Sequence, residues 1–196
     1  MRKVILESSV SMDGFIEGPN GELDWLIYDE ENCNAAEFLA RFDTIFYGRR
    51  AYEKFGIHPL DERLLPEGAR QFLEAVNGMR KYVFSRSKKH VAGNGMVICE
   101  NLEQEVRRIS EEEGKNIWFL GGSDILKTFA DLDLIDEYVL SVHPVLLGSG
   151  KTLFSGTEKQ MNLRLLEKRK LRSGVIKLYY RPETRIKQFV HDGRSF

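Results

Sequence analysis

The hydrophobic positions fall into short runs of two kinds. Val4–Ile5–Leu6, Thr44 to Tyr47, Tyr82–Val83–Phe84 and Ile117 to Leu120 are continuous, and each leads into glycine or small polar residues. A continuous apolar run of that length reads as a strand buried on both faces, as in parallel sheets. Between these runs, apolar residues recur three and four apart. Asn34 to Arg41, Ala69 to Val76, Leu102 to Glu113 and the segment from Ser123–Asp124, with Ile125, Leu126, Phe129 and Ala130, therefore predict helices. Asn77–Gly78 predicts a turn after the second of them. Strand followed by helix, repeated, predicts an α/β fold with a largely parallel sheet.

After Asp131 the pattern changes. Leu134 to Leu147 is a long β-rich run, and His143–Pro144 within it predicts a bend or bulge. Leu163 to Leu171 and Val175 to Arg181, joined through Ser173–Gly174, predict an antiparallel hairpin at a sheet edge. Pro182 to Phe196 reads as a polar tail.

Candidate chemistry sits where predicted strands end. Ile117 to Leu120 runs into Gly121–Gly122, and Ser123 or Asp124 is the expected N-cap of the next helix. Glycine lets backbone amides approach a ligand, and a helix N-terminus favours an anion, a phosphate first of all. A second strand ends in Gly48–Arg49–Arg50, two guanidinium groups suited to bidentate phosphate contact. A third ends in Ser85–Arg86–Ser87. In a parallel sheet these ends share one edge, the edge at which α/β proteins bind ligands. The spacing suits a dinucleotide with a pyrophosphate and an added 2′-phosphate, so NADPH is the expected cofactor. The first strand ends in a long loop, Ser11 to Gly21, whose Met12, Phe15 and Ile16 predict a lid or pocket wall.

Composition narrows the classes without choosing among them. The chain has 196 residues and a net charge of -1, which gives no reason to expect nucleic acid. No stretch has the apolar length of a membrane span. Met1 to Glu7 is charged too early for a signal peptide. Cys33 and Cys99 lie far apart, and His58, His90, His143 and His191 form no cluster. Reduced thiols, no metal and a cytoplasmic location are expected.

The order of motifs carries a resemblance. A strand, Ser11–Met12–Asp13–Gly14, Gly48–Arg49–Arg50–Ala51–Tyr52, Ser85–Arg86, Gly121–Gly122–Ser123 at a helix start, and Pro144–Val145–Leu146–Leu147–Gly148–Ser149–Gly150 together resemble the dihydrofolate reductase-like superfamily. The likeness is closest to the branch of the reductase domain of bacterial riboflavin biosynthesis, and spans residues 1 to 181. It implies a three-layer α/β/α fold with a mostly parallel sheet of about eight strands and an antiparallel C-terminal hairpin. It implies a stand-alone reductase domain followed by a tail from 182 to 196, without the zinc-binding deaminase domain usually fused to the riboflavin enzyme. NADPH as hydride donor, a small-molecule substrate and a homodimer follow from the same likeness. By position, Gly48, Arg49 and Arg50 match the phosphate turn, and Ser85 and Arg86 the surroundings of the 2′-phosphate. Leu120, Gly121, Gly122, Ser123 and Asp124 match the pyrophosphate turn, with Ser8 beside the cofactor. Ser9 and Asp13 fall where nicotinamide and substrate meet and are the catalytic candidates. Glu30, its acidic neighbours Asp29, Glu31 and Glu37, and water are other proton sources; Lys151 is available to a substrate phosphate. The implied activity resembles 5-amino-6-(5-phosphoribosylamino)uracil reductase. A divergent dihydrofolate reductase and a non-catalytic nucleotide-binding module are the competing readings.

Overall fold

The computed structural model describes residues 1–27, 34–57, 67–87, 89–156 and 159–183. Its strands are β1 (Val4–Ser11), β2 (Phe15–Glu17), β3 (Phe42–Gly48), β4 (Arg80–Phe84), β5 (Met96–Ile98), β6 (Asn116–Gly121), β7 (Glu137–His143), β8 (Lys151–Thr152), β9 (Leu163–Lys170) and β10 (Ile176–Pro182). Its helices are α1 (Ala35–Arg41), α2 (Arg49–Ala51, continued by a wider turn over Tyr52–Gly56), α3 (Glu67–Gly78), α4 (Leu102–Glu111) and α5 (Ser123–Asp131).

Eight strands form one sheet in the order β5-β4-β3-β6-β1-β7-β10-β9. The first six run parallel, β10 is antiparallel to β7, and β9 is antiparallel to β10. Alternation along β1 explains the continuous apolar run. Val4 and Leu6 enter one core with Val106 and Ile109 of α4 and Leu126 and Phe129 of α5. Ile5 enters the opposite core with Phe38 of α1 and Val76 of α3. A central strand covered on both sides has no polar face, so its sequence shows no alternation. The three-layer α/β/α architecture is as expected. No described helix is long and apolar enough to cross a membrane.

The structure departs from the sequence reading in two places. Asn77 and Gly78 are the last turn of α3, and the chain reverses one residue later, where the Met79 amide donates to the Val76 carbonyl (3.3 Å). Helix ends tolerate glycine, so the pair marks the terminus and not a separate turn. β7 stops at His143 and the expected bend falls at Pro144, which lacks the amide the ladder needs. The loop after β1 contains a strand: β2 pairs with β8 antiparallel, and the Met12 amide donates to the Val145 carbonyl (2.9 Å). Three residues facing two are too few to leave a period in the sequence. The tail beyond residue 183 lies outside the described residues.

Candidate active site

The ends of β3, β6 and β4 meet on one rim because these strands are neighbours in a parallel sheet. Gly48 ends β3 and packs against the β6 turn. A Cβ on Gly48 would lie 2.9 Å from Ile125 Cγ2 and 3.0 Å from the Gly121 carbonyl oxygen, so only glycine lets the two turns touch. Gly122 is the N-cap of α5, with φ 114° and ψ 134°, a conformation open essentially to glycine alone. This corrects the sequence reading. Ser123 and Asp124 are already helical, Ser123 is buried, and no side chain caps the helix. The Ile125 and Leu126 amides both donate to the Gly122 carbonyl (3.1 and 3.0 Å), and a helix's first amides have no partner within the helix, so those of Ser123 and Asp124 face outward to an external acceptor.

The arginines stand beside this turn. Arg50 Nη1 is 3.6 Å from Asp124 Oδ2, with both side chains largely exposed, a pair worth under about 1 kcal/mol. Arg49 Nη1 donates to Glu53 Oε2 (2.7 Å), one turn on. The charge of the two arginines is therefore partly met within the chain. Ser85 is buried at the end of β4, its amide bonded to the Ile98 carbonyl (3.0 Å), and Arg86 is exposed.

These turns open on a cleft of about 920 Å³. Ser8, Ser9, Gly48, Arg49, Arg50, Ser85, Arg86, Leu120, Gly122, Ser123 and Asp124 all line it. Asp13 and Gly121 do not. Gly121 supports the turn from beneath. The Asp13 carboxylate accepts from Ser11 Oγ (2.6 Å) and from the amides of Gly148 (2.8 Å) and Leu147 (3.2 Å). The Ser11 hydrogen bond first, and then these amides, hold its pKa below the usual carboxylate range. The structure thus makes Asp13 the latch between the loop after β1 and the Pro144–Gly150 segment. Ile16 and Glu17 of that loop form a wall of the cleft, together with Lys151. Asp29, Glu30 and Glu31 lie outside the described residues. Glu37 is exposed beside Arg169 (3.4 Å) and does not line the main cleft.

The other half of the cleft lies over β1, β7 and β10. Ser9, Ser141 and Lys177 form one row across these strands, and Glu7, Val139 and Tyr179 form the next. Phe38, Phe72 and Trp118 wall this end, and the Trp118 indole N–H donates to the Glu7 carbonyl (3.1 Å). The Glu7 carboxylate receives Arg41 Nη1 at 3.0 Å and Lys177 Nζ at 3.5 Å. Buried His143 accepts the Ile27 amide on Nδ1 (3.2 Å), a structural tie that also forms part of the cleft wall. Glu7 and Lys177 are absent from the sequence-based expectation. A signal was present in both: Glu7 is a charge within an apolar central strand, and Lys177 falls on the inward phase of β10.

The arrangement fits a dinucleotide. One end offers a glycine cradle, open helix amides and cations; the other is aromatic-walled, with Ser9, Ser141, Glu7 and Lys177 on its floor. The model of the RibD C-terminal domain matches residues 2–177. An uncharacterized Bacillus subtilis protein, YyaP, is 39% identical over 180 residues, covering 91% of this chain and 94% of its own. Among solved structures, a putative riboflavin biosynthesis protein from Shewanella has a TM-score of 0.76 at 20% identity, covering 94% of this chain and 100% of that one. An Enterococcus faecalis dihydrofolate reductase complexed with NADP(H) has a TM-score of 0.58 at 17% identity, covering 93% of this chain and 97% of that one. At these identities the two structures speak for the shared fold. On the match across nearly its whole length, the chain belongs to the RibD C-terminal domain family.

Proposed function

We propose that the chain is an NADPH-dependent reductase that delivers a hydride to a small heterocyclic or carbonyl substrate, in the manner of the uracil reductase of riboflavin biosynthesis. The observation that carries this reading is the two-ended cleft, with phosphate-suited turns at one end and an aromatic-walled space over Ser9 and Ser141 at the other. The Gly48 turn and the first amides of α5 would hold the pyrophosphate. Arg49, Arg50, Ser85 and Arg86 would hold the adenosine end with its 2′-phosphate. When bound, the cofactor supplies a hydride at its nicotinamide C4. The protein positions the two reactants: Ser8, Ser9 and Leu120 floor the junction, and Phe38, Phe72 and Trp118 keep water from it.

The test is oxidation of NADPH against a panel of aminopyrimidines, pteridines including dihydrofolate, quinones and cyclic imines. Turnover with any member supports the reading, and a clear preference for dihydrofolate would favour the divergent dihydrofolate reductase. Binding of NADPH without turnover would favour a sensing module. We also propose a homodimer through β9, exposed at all eight residues, where Leu163, Leu165 and Leu166 stand in solvent. A monomeric mass by light scattering would remove it.

A further inference from the structure

Reduction of a C=N or C=O group needs a proton as well as a hydride, and the sequence left its source open. Asp13 is outside the cleft and engaged with Ser11 and two backbone amides. Lys54 is tied to Glu17 (3.1 Å) at the edge of the cofactor end. His143 accepts the Ile27 amide on Nδ1, which leaves its proton on Nε2, an atom closed off from solvent. Guanidinium groups do not release protons in proteins.

Lys177 differs from all of these. Its side chain is 11% exposed, it stands in the same cross-strand row as Ser9 and Ser141, and its amine faces Glu7 at the long distance of 3.5 Å. Arg41 takes the other carboxylate oxygen at 3.0 Å. The ammonium is held in place without being fully engaged by Glu7, so it can turn an N–H toward a bound acceptor. Lys177 also lines a second, smaller cavity of about 30 Å³, bounded by Glu7, Asn34, Glu37 and Arg41 together with Phe38 and Phe72. That is space for roughly one water molecule among polar groups, a route by which a spent amine regains its proton from solvent.

We propose that Lys177 Nζ is the proton donor of the reduction and that Glu7, braced by Arg41, positions it. This rests on the reductase reading above. As hydride adds to the substrate carbon, the C=N or C=O π pair moves onto the heteroatom. The Lys177 N–H bond breaks, a heteroatom–hydrogen bond forms, and neutral Lys177 takes a proton from water through the smaller cavity. The substrate class narrows accordingly. The reducible heteroatom of a flat ring meets a cation beside Trp118, and among the described residues the carboxylate at that end, Glu7, is already paired with Arg41 and Lys177.

A matched pair of probes tests this. Neutral 3,4-dihydroisoquinoline needs a proton for reduction, whereas its N-methyl iminium ion takes hydride alone. Each is offered with NADPH, at alkaline pH, to the wild type, Lys177→Gln, Lys177→Arg and Glu7→Gln. Lys177→Gln should lose about 100-fold in kcat on the imine, the size of a removed general acid. It should keep the iminium reaction and NADPH affinity within about threefold. Lys177→Arg should keep substrate KM but not imine kcat, and Glu7→Gln should fall between Lys177→Gln and the wild type. A readout without cofactor uses quenching of tryptophan fluorescence by isoquinolin-1-one, whose carbonyl mimics the acceptor; Lys177→Gln should weaken its binding about tenfold. Equal loss on imine and iminium, no loss on imine, or unchanged isoquinolin-1-one binding would each overturn the assignment. Wild-type protein that bound no NADPH would defeat the reductase reading instead, and the isoquinolin-1-one measurement would still decide whether Lys177 meets an acceptor.

Discussion

Replacing Gly48 by alanine probes the contact on which the cofactor rim depends. The φ of Gly48 is -72° and its ψ is 148°, an ordinary extended conformation, so alanine adds no backbone strain. What it adds is one methyl group 2.9 Å from Ile125 Cγ2 and 3.0 Å from the Gly121 carbonyl oxygen. The side chain of Ile125 can rotate. The carbonyl belongs to the turn itself and can move only with it, so the β3 and β6 turns must separate by some tenths of an ångström. Overpacking of this kind costs about 1–3 kcal/mol. For a domain of this size each 1 kcal/mol is about 2–4 °C of Tm, so a fall of roughly 4–8 °C is expected for a cost in the middle of that range. Cofactor affinity should fall at least about tenfold, because every phosphate contact would be made by turns held too far apart. Gly122→Ala is the matched control for backbone strain. Its Cβ would have an ordinary 3.8 Å contact with Ala51, but φ 114° is strained for alanine. Thermal unfolding by circular dichroism and NADPH titration by energy transfer from tryptophan read both effects. If Gly48→Ala keeps wild-type Tm and NADPH affinity, the turns are not in the contact described here.

Four other outcomes follow from the same geometry. Arg49→Ala with Arg50→Ala should weaken NADPH by tenfold or more while changing NADH little, since charge-assisted bonds to the 2′-phosphate are what they would supply; equal weakening of both dinucleotides would exclude that role. Asp13→Asn should lower turnover more than NADPH affinity by loosening the cleft wall, and unchanged turnover would leave the latch without function. The depressed pKa of Asp13 sets the sign of the pH effect: its stabilisation is full above the ordinary aspartate range and is lost as pH falls through the lower folded value, so backbone amides 147 and 148 should lose exchange protection only in strong acid. Asp43→Ala should cost about 3 kcal/mol, because it leaves the guanidinium of Arg2, a residue only 4% exposed, without its carboxylate; urea unfolding showing less than about 1 kcal/mol would contradict this.

Much of this molecule was readable before any coordinates. The rim of turns was legible because its parts are local: a strand, a turn and a helix start occupy consecutive residues at Tyr47–Arg50 and at Leu120–Asp124, and parallel neighbours put such turns on one edge. The end of the cleft over β1, β7 and β10 was not legible, because it is made by cross-strand register. Glu7 and Lys177 are 170 positions apart in sequence and meet only once β7 is laid between β1 and β10. Asp13 shows the converse. Its place in a family motif pointed to chemistry, yet its hydrogen bonds run to Ser11, Leu147 and Gly148, and those partners cannot be inferred from spacing. The N-cap of α5 moved by one residue for a backbone reason: a conformation such as Gly122 adopts takes precedence over the side-chain caps that Ser123 and Asp124 offer.

Hydrogen–deuterium exchange of the whole protein with and without NADPH tests the central claim most directly. The account predicts new protection in the peptides covering Gly48–Ala51, Ser85–Arg86 and Gly121–Leu126 together, at one ligand concentration, with NADH protecting Ser85–Arg86 and Arg49–Arg50 less. Absence of protection at Gly121–Leu126, or protection confined to a surface away from these three turns, would contradict it.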